Sequence, residues 1–283
     1  MRKMFGLLLA VGLSLGLAAC GSSSSSSSSS ADTASASGTA AASEPLKIGV
    51  SPVPHAEIVK YVADNLASAA GLKLEIVEFS DYVQPNLQLQ DGQLGANYFQ
   101  HKPYLDDFNA SKGTKLSYVT SVHLEPLGLY SKKVKDVASL GQGATVAVPN
   151  DATNLGRALK LLADNGVITL KDGVGTAATE RDVTGNPKAI KFQPLEAAQL
   201  PRSLEDVDAA VINGNYAMEA SLNPESDALV LEKAEGNPYA NGLVVAEGQE
   251  SDPRIVTLSK LLTSPEVKQF IEQKYKGAVI PAF

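Results

Sequence analysis

From Leu46 onward, short apolar runs alternate with helix-length amphipathic stretches, and this alternation restricts the chain to α/β architectures more than any other feature. Leu46–Val50 reads as a strand, His55–Ala70 as a helix after Pro54, Leu72–Phe79 as a strand and Tyr82–Gln90 as a helix. Ala96–Phe99 reads as a strand running into a helix near Lys102-Pro103, since Pro suits a first helical turn. Extended segments follow at Lys115–Val122 and Leu127–Tyr130, then a buried strand at Thr145–Val148 and a helix to about Asp164. Ala189–Phe192 and Ala209–Ile212 read as strands flanking a helix at Glu196–Ser203. Asn215–Leu222 reads as helical, Leu229–Leu231 and Leu243–Ala246 as strands, and Pro253–Lys274 as two helices split near Ser264-Pro265. The count suits two α/β lobes better than one sheet. Residues 46–130 and 238–283 form the expected first lobe and residues 131–237 the second, with a cleft between them of the kind that favours small ligands.

The segment before Leu46 has a different character. Arg2 and Lys3 precede an apolar run from Met4 to Leu17, so residues 1–19 read as a signal peptide, too short and too rich in small residues for a stable membrane span. Leu17-Ala18-Ala19-Cys20-Gly21 resembles a bacterial lipobox, with Cys20, the chain's only cysteine, as the lipidated residue. A single cysteine leaves nothing for a disulfide framework. Ser22 to Ser30 are nine consecutive serines, followed by an Ala/Ser/Thr/Gly tract, so residues 20–45 read as a disordered tether from a lipid anchor. Loss of the two leader cations moves the net charge from −7 to −9, which makes nucleic acid an unlikely partner.

The common catalytic signatures are missing from the sequence: there is no Walker A, G-x-S-x-G, H-E-x-x-H or C-x-x-C. Gly173-Val-Gly175-Thr-Ala-Ala178 fits a loose G-x-G-x-x-A pattern but lacks the preceding buried strand and following apolar helix, so it reads as a loop. His55, His101 and His123 could form a metal site with Glu125, Asp106 or Asp107, although their spacing does not require one. Two segments point to a ligand. In the helix after Val148-Pro149, Leu155, Leu159 and Leu162 share one face and Asn154 and Arg157 another, which places a guanidinium near a helix N-terminus and outlines a carboxylate site; a surface arginine beside a capping asparagine is the competing reading. Asp208 to Tyr216 is an apolar strand that ends in Asn213-Gly214-Asn215, which is either turn chemistry or a polar sheet edge facing a ligand.

LKIGVSPVPH (46–55), FSDYVQPN (79–86), ANYFQHKPYL (96–105), VPNDATNLGRAL (148–159) and NPYAN (237–241), in this order behind the lipobox, resemble the NlpA-type methionine-binding lipoproteins. These are the substrate-binding components of methionine ABC importers. The resemblance implies a two-lobe periplasmic-binding-protein fold, type II-like, with the ligand in the interlobe cleft. It assigns Tyr82, Phe99, His101 and Tyr104 to the pocket around the ligand side chain, Asn154 and Arg157 to the carboxylate, and Asn213, Asn241 and the neighbouring Asn215 to the head group. Tyr98 is expected to pack inward while Phe99, His101 and Tyr104 face the cleft. The implied protein is an extracytoplasmic monomer, anchored to a cell or outer membrane through Cys20, that delivers L-methionine or a close analogue to an ABC permease and its ATPase. It needs no cofactor and has no metal or catalytic residues. The alternatives are a metal-ion-binding lipoprotein of an ABC importer and an extracytoplasmic enzyme acting on amino-acid derivatives.

Overall fold

The computed structural model of the chain describes residues 44–283. The signal peptide, Cys20 and all but the last two residues of the expected tether lie outside the described residues.

Thirteen strands are formed among the described residues: β1 (Leu46–Val50), β2 (Leu74–Glu78), β3 (Ala96–His101), β4 (Leu116–Leu124), β5 (Gly128–Tyr130), β6 (Thr145–Pro149), β7 (Thr169–Leu170), β8 (Val183–Gly185), β9 (Lys191–Leu195), β10 (Ala209–Ile212), β11 (Ala228–Leu231), β12 (Asn241–Ala246) and β13 (Ile280–Pro281). The α-helices are α1 (Glu57–Val62), α2 (Gln84–Gln90), α3 (Lys102–Lys112), α4 (Ala152–Asp164), α5 (Leu200–Ser203), α6 (Gly214–Glu219), α7 (Pro224–Asp227), α8 (Pro253–Leu262) and α9 (Pro265–Tyr275). None is long and apolar enough to cross a membrane.

The strands assemble into two mixed sheets and one small hairpin. The first sheet runs β13-β4-β12-β3-β1-β2, with β1 parallel to β2 and β3, and β12 antiparallel to β3 and β4. The second runs β11-β5-β10-β6-β9, with β6 parallel to β9 and β10, and β5 antiparallel to β10 and β11. The hairpin pairs β7 with β8. The sheet membership differs from the expected lobe division at one strand. Gly128–Tyr130 hydrogen-bonds to Ile212–Ala210, so β5 belongs with the second sheet and the chain changes sheets at residues 125–127 instead of after residue 130. The second change falls between Leu231 and Asn241.

Each sheet has its own apolar core. Ile48, Val50, Ile58, Val59, Tyr98, Leu243, Leu258 and Ile271 pack the first sheet against α1, α8 and α9. Leu129, Val146, Val148, Leu159, Leu162 and Val211 pack the second sheet against α4. The apolar stripe of α4 behaves as its 3.6-residue period predicts, with Leu159 and Leu162 fully buried and Leu155 partly so. Asp151 caps this helix by accepting from the Asn154 backbone N–H at 2.9 Å.

The glycine-rich stretch from 172 to 186 is mostly exposed but is pinned to the second core at Ala178. Ala178 is buried in the second core and Val174 packs against it. The turn carrying Thr176 lies directly on α4, where a Cβ built on Gly156 would stand 2.1 Å from the Thr176 carbonyl oxygen. Gly156 is therefore required by close backbone approach. Gly156→Ala gains about 0.8–1.0 kcal/mol of helix propensity but forces an overpacking cost of about 1–3 kcal/mol. Chemical denaturation is expected to show net destabilisation, and a more stable variant would refute the close-packing argument.

Candidate functional site

Between the two sheets lies a cavity lined by Tyr82, Phe99, Gln100, His101, Tyr104, Glu125, Asn154, Arg157, Asn213, Gly214, Asn215 and Asn241. All nine residues singled out in the sequence line it. The cavity is aromatic on one side and polar on the other.

Strand β3 and the start of α3 build the aromatic side. The register against β12 slips between the Tyr98–Leu243 and Gln100–Gly242 pairs, leaving Phe99 in a bulge of the kind that re-aims side chains beside binding sites. Phe99, Tyr82 and Tyr104 form a box with ring centroids 5.9 to 6.2 Å apart. The Tyr104 hydroxyl donates to the Tyr82 carbonyl at 3.0 Å, which ties two walls of the box together. Tyr98 points the other way, fully buried in the first core, with its hydroxyl bonded to His123 Nδ1. His101 caps α3, its Nδ1 accepting from the Tyr104 N–H at 3.1 Å, so its Nε2 carries the proton and donates to Asn154 Oδ1 at 3.2 Å. Burial first, and the Arg157 cation second, push the His101 pKa down to about 3, so the ring is neutral.

Hydrogen bonding fixes the amide orientations on the polar side. Asn154 Nδ2 donates to both Asp151 carboxylate oxygens at 3.0 Å, so Oδ1 turns inward and accepts from Asn213 Nδ2 at 3.1 Å. Asn213 Oδ1 is thereby committed as an acceptor, and it is buried without a partner among the described residues. On α6 the Tyr82 hydroxyl donates to Asn215 Oδ1 at 2.5 Å, leaving Asn215 Nδ2 a buried donor without a partner. A free acceptor and a free donor two residues apart are what a zwitterionic head group requires.

Arg157 is 4% exposed. Its Nε donates to both oxygens of Glu232 at 2.9 and 3.1 Å, and its Nη2 donates to Glu232 Oε2 at 2.5 Å and to the Glu125 carbonyl at 2.9 Å. The Tyr239 ring covers the guanidinium, 4.2 Å from Cζ to centroid. Among the described residues no hydrogen bond engages Nη1.

Gln100, Glu125 and Gly214 also line the cavity, and with Glu232 behind Arg157 they were not expected as pocket elements from the sequence. Glu125, 5% exposed, contributes a buried carboxylate to the cavity wall. Glu232 reaches Arg157 from 75 residues away, a contact without local signal. The histidines do not converge as a trio: His55, His123 and Glu125 lie together with donor atoms within 4.8 Å, whereas His101 is engaged by α3 and Asn154, and Asp106 pairs with Lys102. The first three could hold a metal ion by donor type. Most of their donor atoms are engaged with each other and with neighbours, while His55 Nδ1 has no partner among the described residues. His123 Nε2 donates to Glu125 Oε1 at 2.7 Å, and His55 Nε2 donates to Asn241 Oδ1 at 3.2 Å. Burial holds His55 down to about 4 and His123 to about 3, and pushes the Glu125 carboxyl up.

Two α/β sheets enclosing a cavity that is aromatic at one end and polar at the other define a two-lobe ligand-binding protein of the periplasmic-binding type. The NlpA lipoprotein family model matches residues 46–283. The chain is 41% identical over 241 residues to the probable D-methionine-binding lipoprotein MetQ of Vibrio cholerae, spanning 85% of this chain and 89% of that protein. It is 40% identical over 238 residues to the methionine-binding lipoprotein MetQ of Bacillus subtilis, spanning 83% and 86% respectively. The structure of a nutrient binding protein from Burkholderia cenocepacia bound to methionine superposes with a TM-score of 0.81 at 46% identity, covering 84% of this chain and all of that one. The chain belongs to the NlpA lipoprotein family.

The buried histidines make stability depend on pH with a defined sign. Burial holds the pKa values of His55, His101 and His123 down to about 4, 3 and 3, below the ordinary histidine value of 6.5, so the stability from burying them neutral is full above about pH 6.5 and is lost as pH falls through about 4 and 3. Glu125, raised above 4.5, retains a proton that the unfolded chain has lost and offsets part of this uptake. At about 1.4 kcal/mol per proton per pH unit, the uptake by the three histidines on unfolding exceeds what Glu125 offsets and predicts a fall in the free energy of unfolding between pH 6 and pH 4.5. Denaturant titrations at these two pH values check it, and equal stability would contradict the buried neutral histidines.

Proposed function

We propose that the protein is an extracytoplasmic lipoprotein, anchored through Cys20, that captures methionine between two lobes and delivers it to an ABC-type permease with its ATPase. In this reading residues 46–127 and 241–283 form one lobe and 128–231 the other, the protein acts as a monomer, and it performs no chemistry on its ligand. The single observation that carries the reading is the pairing of an aromatic box with unpartnered, oriented amide groups in one cavity. The methionine-binding names of its relatives support it.

The ligand's carboxylate meets Arg157 Nη1 and Asn215 Nδ2, and its ammonium meets Asn213 Oδ1 and the Glu125 carboxylate. The side chain then extends into the box of Tyr82, Phe99 and Tyr104. Burying a methionine side chain contributes roughly 1.5–3 kcal/mol. Each sulfur–aromatic contact adds about 0.3–1.5 kcal/mol, which a Leu or Ile side chain cannot gain. Shape alone discriminates by only about 1–3 kcal/mol per methylene, so the rings carry much of the selectivity.

Mass spectrometry of small molecules released by denaturing freshly purified protein is expected to find methionine. Its absence, with no methionine binding in calorimetry, would sink the reading. Arg157→Ala should weaken methionine by about 100-fold or more, because truncating one partner of a buried charge pair costs about 2–5 kcal/mol. Phe99→Ala should weaken it by at least about tenfold through loss of apolar and sulfur contacts. Unchanged affinity in either variant would remove that residue from the site.

A further inference from the structure

Arg157 belongs to two spaces at once. It lines the cavity between the sheets, and it also lines a neighbouring outer cleft bounded by Lys160, Asp164, Glu232, Lys233 and Tyr239. The guanidinium is therefore the partition between them. What holds the partition comes from the two segments where the chain passes between the sheets. The first passage supplies the Glu125 carbonyl. The second supplies the two-point clamp of Glu232 and the ring of Tyr239. The passages are also bonded to each other: the Glu232 N–H donates to the Leu127 carbonyl at 2.9 Å, and the Leu127 N–H donates to Glu232 Oε2 at 3.3 Å. A guanidinium bound this way cannot swing into the outer cleft without breaking a buried bidentate pair.

Resting on the methionine reading above, we propose that Glu232 is a positioning residue which, with Tyr239, holds Arg157 as the end wall of the cavity and thereby restricts the ligand to a free amino acid. A free carboxylate offers acceptors to Nη1. An amide or peptide nitrogen at the same place turns a donor towards a donor and loses the charge, and a peptide also needs the space that Arg157 occupies. The site thus reads the terminus of its ligand as well as its side chain. A wall that could move aside would let a methionyl peptide extend into the outer cleft.

The test compares L-methionine with L-methioninamide and methionyl-glycine by calorimetry, on the native protein, on Glu232→Gln and on Tyr239→Leu. The native protein is expected to favour the free acid over the amide by about 100-fold or more, because a site built for one hydrogen-bonding pattern leaves its buried groups unpaired with the other. In Glu232→Gln, which keeps the shape but removes the charge clamp, this acid-to-amide ratio should fall about tenfold or more. Methionyl-glycine should gain affinity relative to methionine. Tyr239→Leu keeps the clamp and removes the ring, so its ratio should fall by a smaller factor, and it decides the matter if Glu232→Gln does not fold. A purely structural role for these residues would lower both affinities together and leave the ratio unchanged, and that result overturns the proposal. Failure of the native protein to bind methionine would overturn the ligand reading and this proposal with it, whereas normal binding with unchanged ratios overturns the proposal alone.

Discussion

A guanidinium buried to 4% exposure between two sheets is the constraint around which the centre of this molecule is arranged. An unpaired buried cation costs several kcal/mol, so Arg157 can stand there only if carboxylate and carbonyl acceptors are brought to it. They come from Glu232 and Glu125, which lie on the two segments linking the sheets. The position of α4 therefore fixes both linking segments as well as the helix itself. The tight seat of Gly156 on the Thr176 carbonyl sets α4 from its other side.

A second chain of dependence runs through the amides. The Asp151 carboxylate caps α4 and also accepts from Asn154 Nδ2, so one acidic side chain both starts the helix and determines which way an amide in the cavity faces. Asn154 then orients Asn213, and His101 closes the same acceptor from the other sheet. Neither amide in this chain can flip without setting a buried donor against a donor or an acceptor against an acceptor. The head-group side of the cavity is thus prepared before any ligand arrives, which lowers the ordering cost of binding.

Much of this was legible in the sequence, and the limits have physical causes. The strands at 46–50, 145–149 and 209–212 are apolar runs with turn residues at their ends, and the α4 stripe has a clear 3.6-residue period. Local pattern suffices for such elements. A three-residue run such as Gly128–Tyr130 carries no signal of which sheet it will join; pairing with β10 decides that, and the change of sheet falls three residues earlier than expected. Periodicity left Asn154, Arg157 and Asn213 open between surface and site, and only the ordered series of motifs resembling a family weighted them towards the site. Glu125 and Glu232 had no such signal. Glu125 was visible only as a possible metal ligand, its backbone carbonyl meets an arginine 32 residues away, and the Glu232 side chain reaches the same arginine across 75 residues, contacts that no local pattern signals.

The charges explain why these two glutamates could not be replaced by neutral acceptors without changing what the cavity accepts. Arg157 is already balanced by Glu232, so the guanidinium presents a donor to the ligand without presenting a full uncompensated charge. A ligand that brought only a carboxylate would leave the cavity with an excess anion beside Glu125, whose carboxyl is already pushed up by burial. A ligand that brought only an ammonium would leave the Arg157 and Asn215 donors unanswered. A zwitterion satisfies both ends, and its ammonium offers Glu125 the opposite charge that its buried neutral histidine neighbours, held down by the same burial, do not provide. On the proposed reading the charge balance of the polar wall therefore favours a zwitterion, the seat of Arg157 limits its length, and the aromatic box decides which side chain it carries.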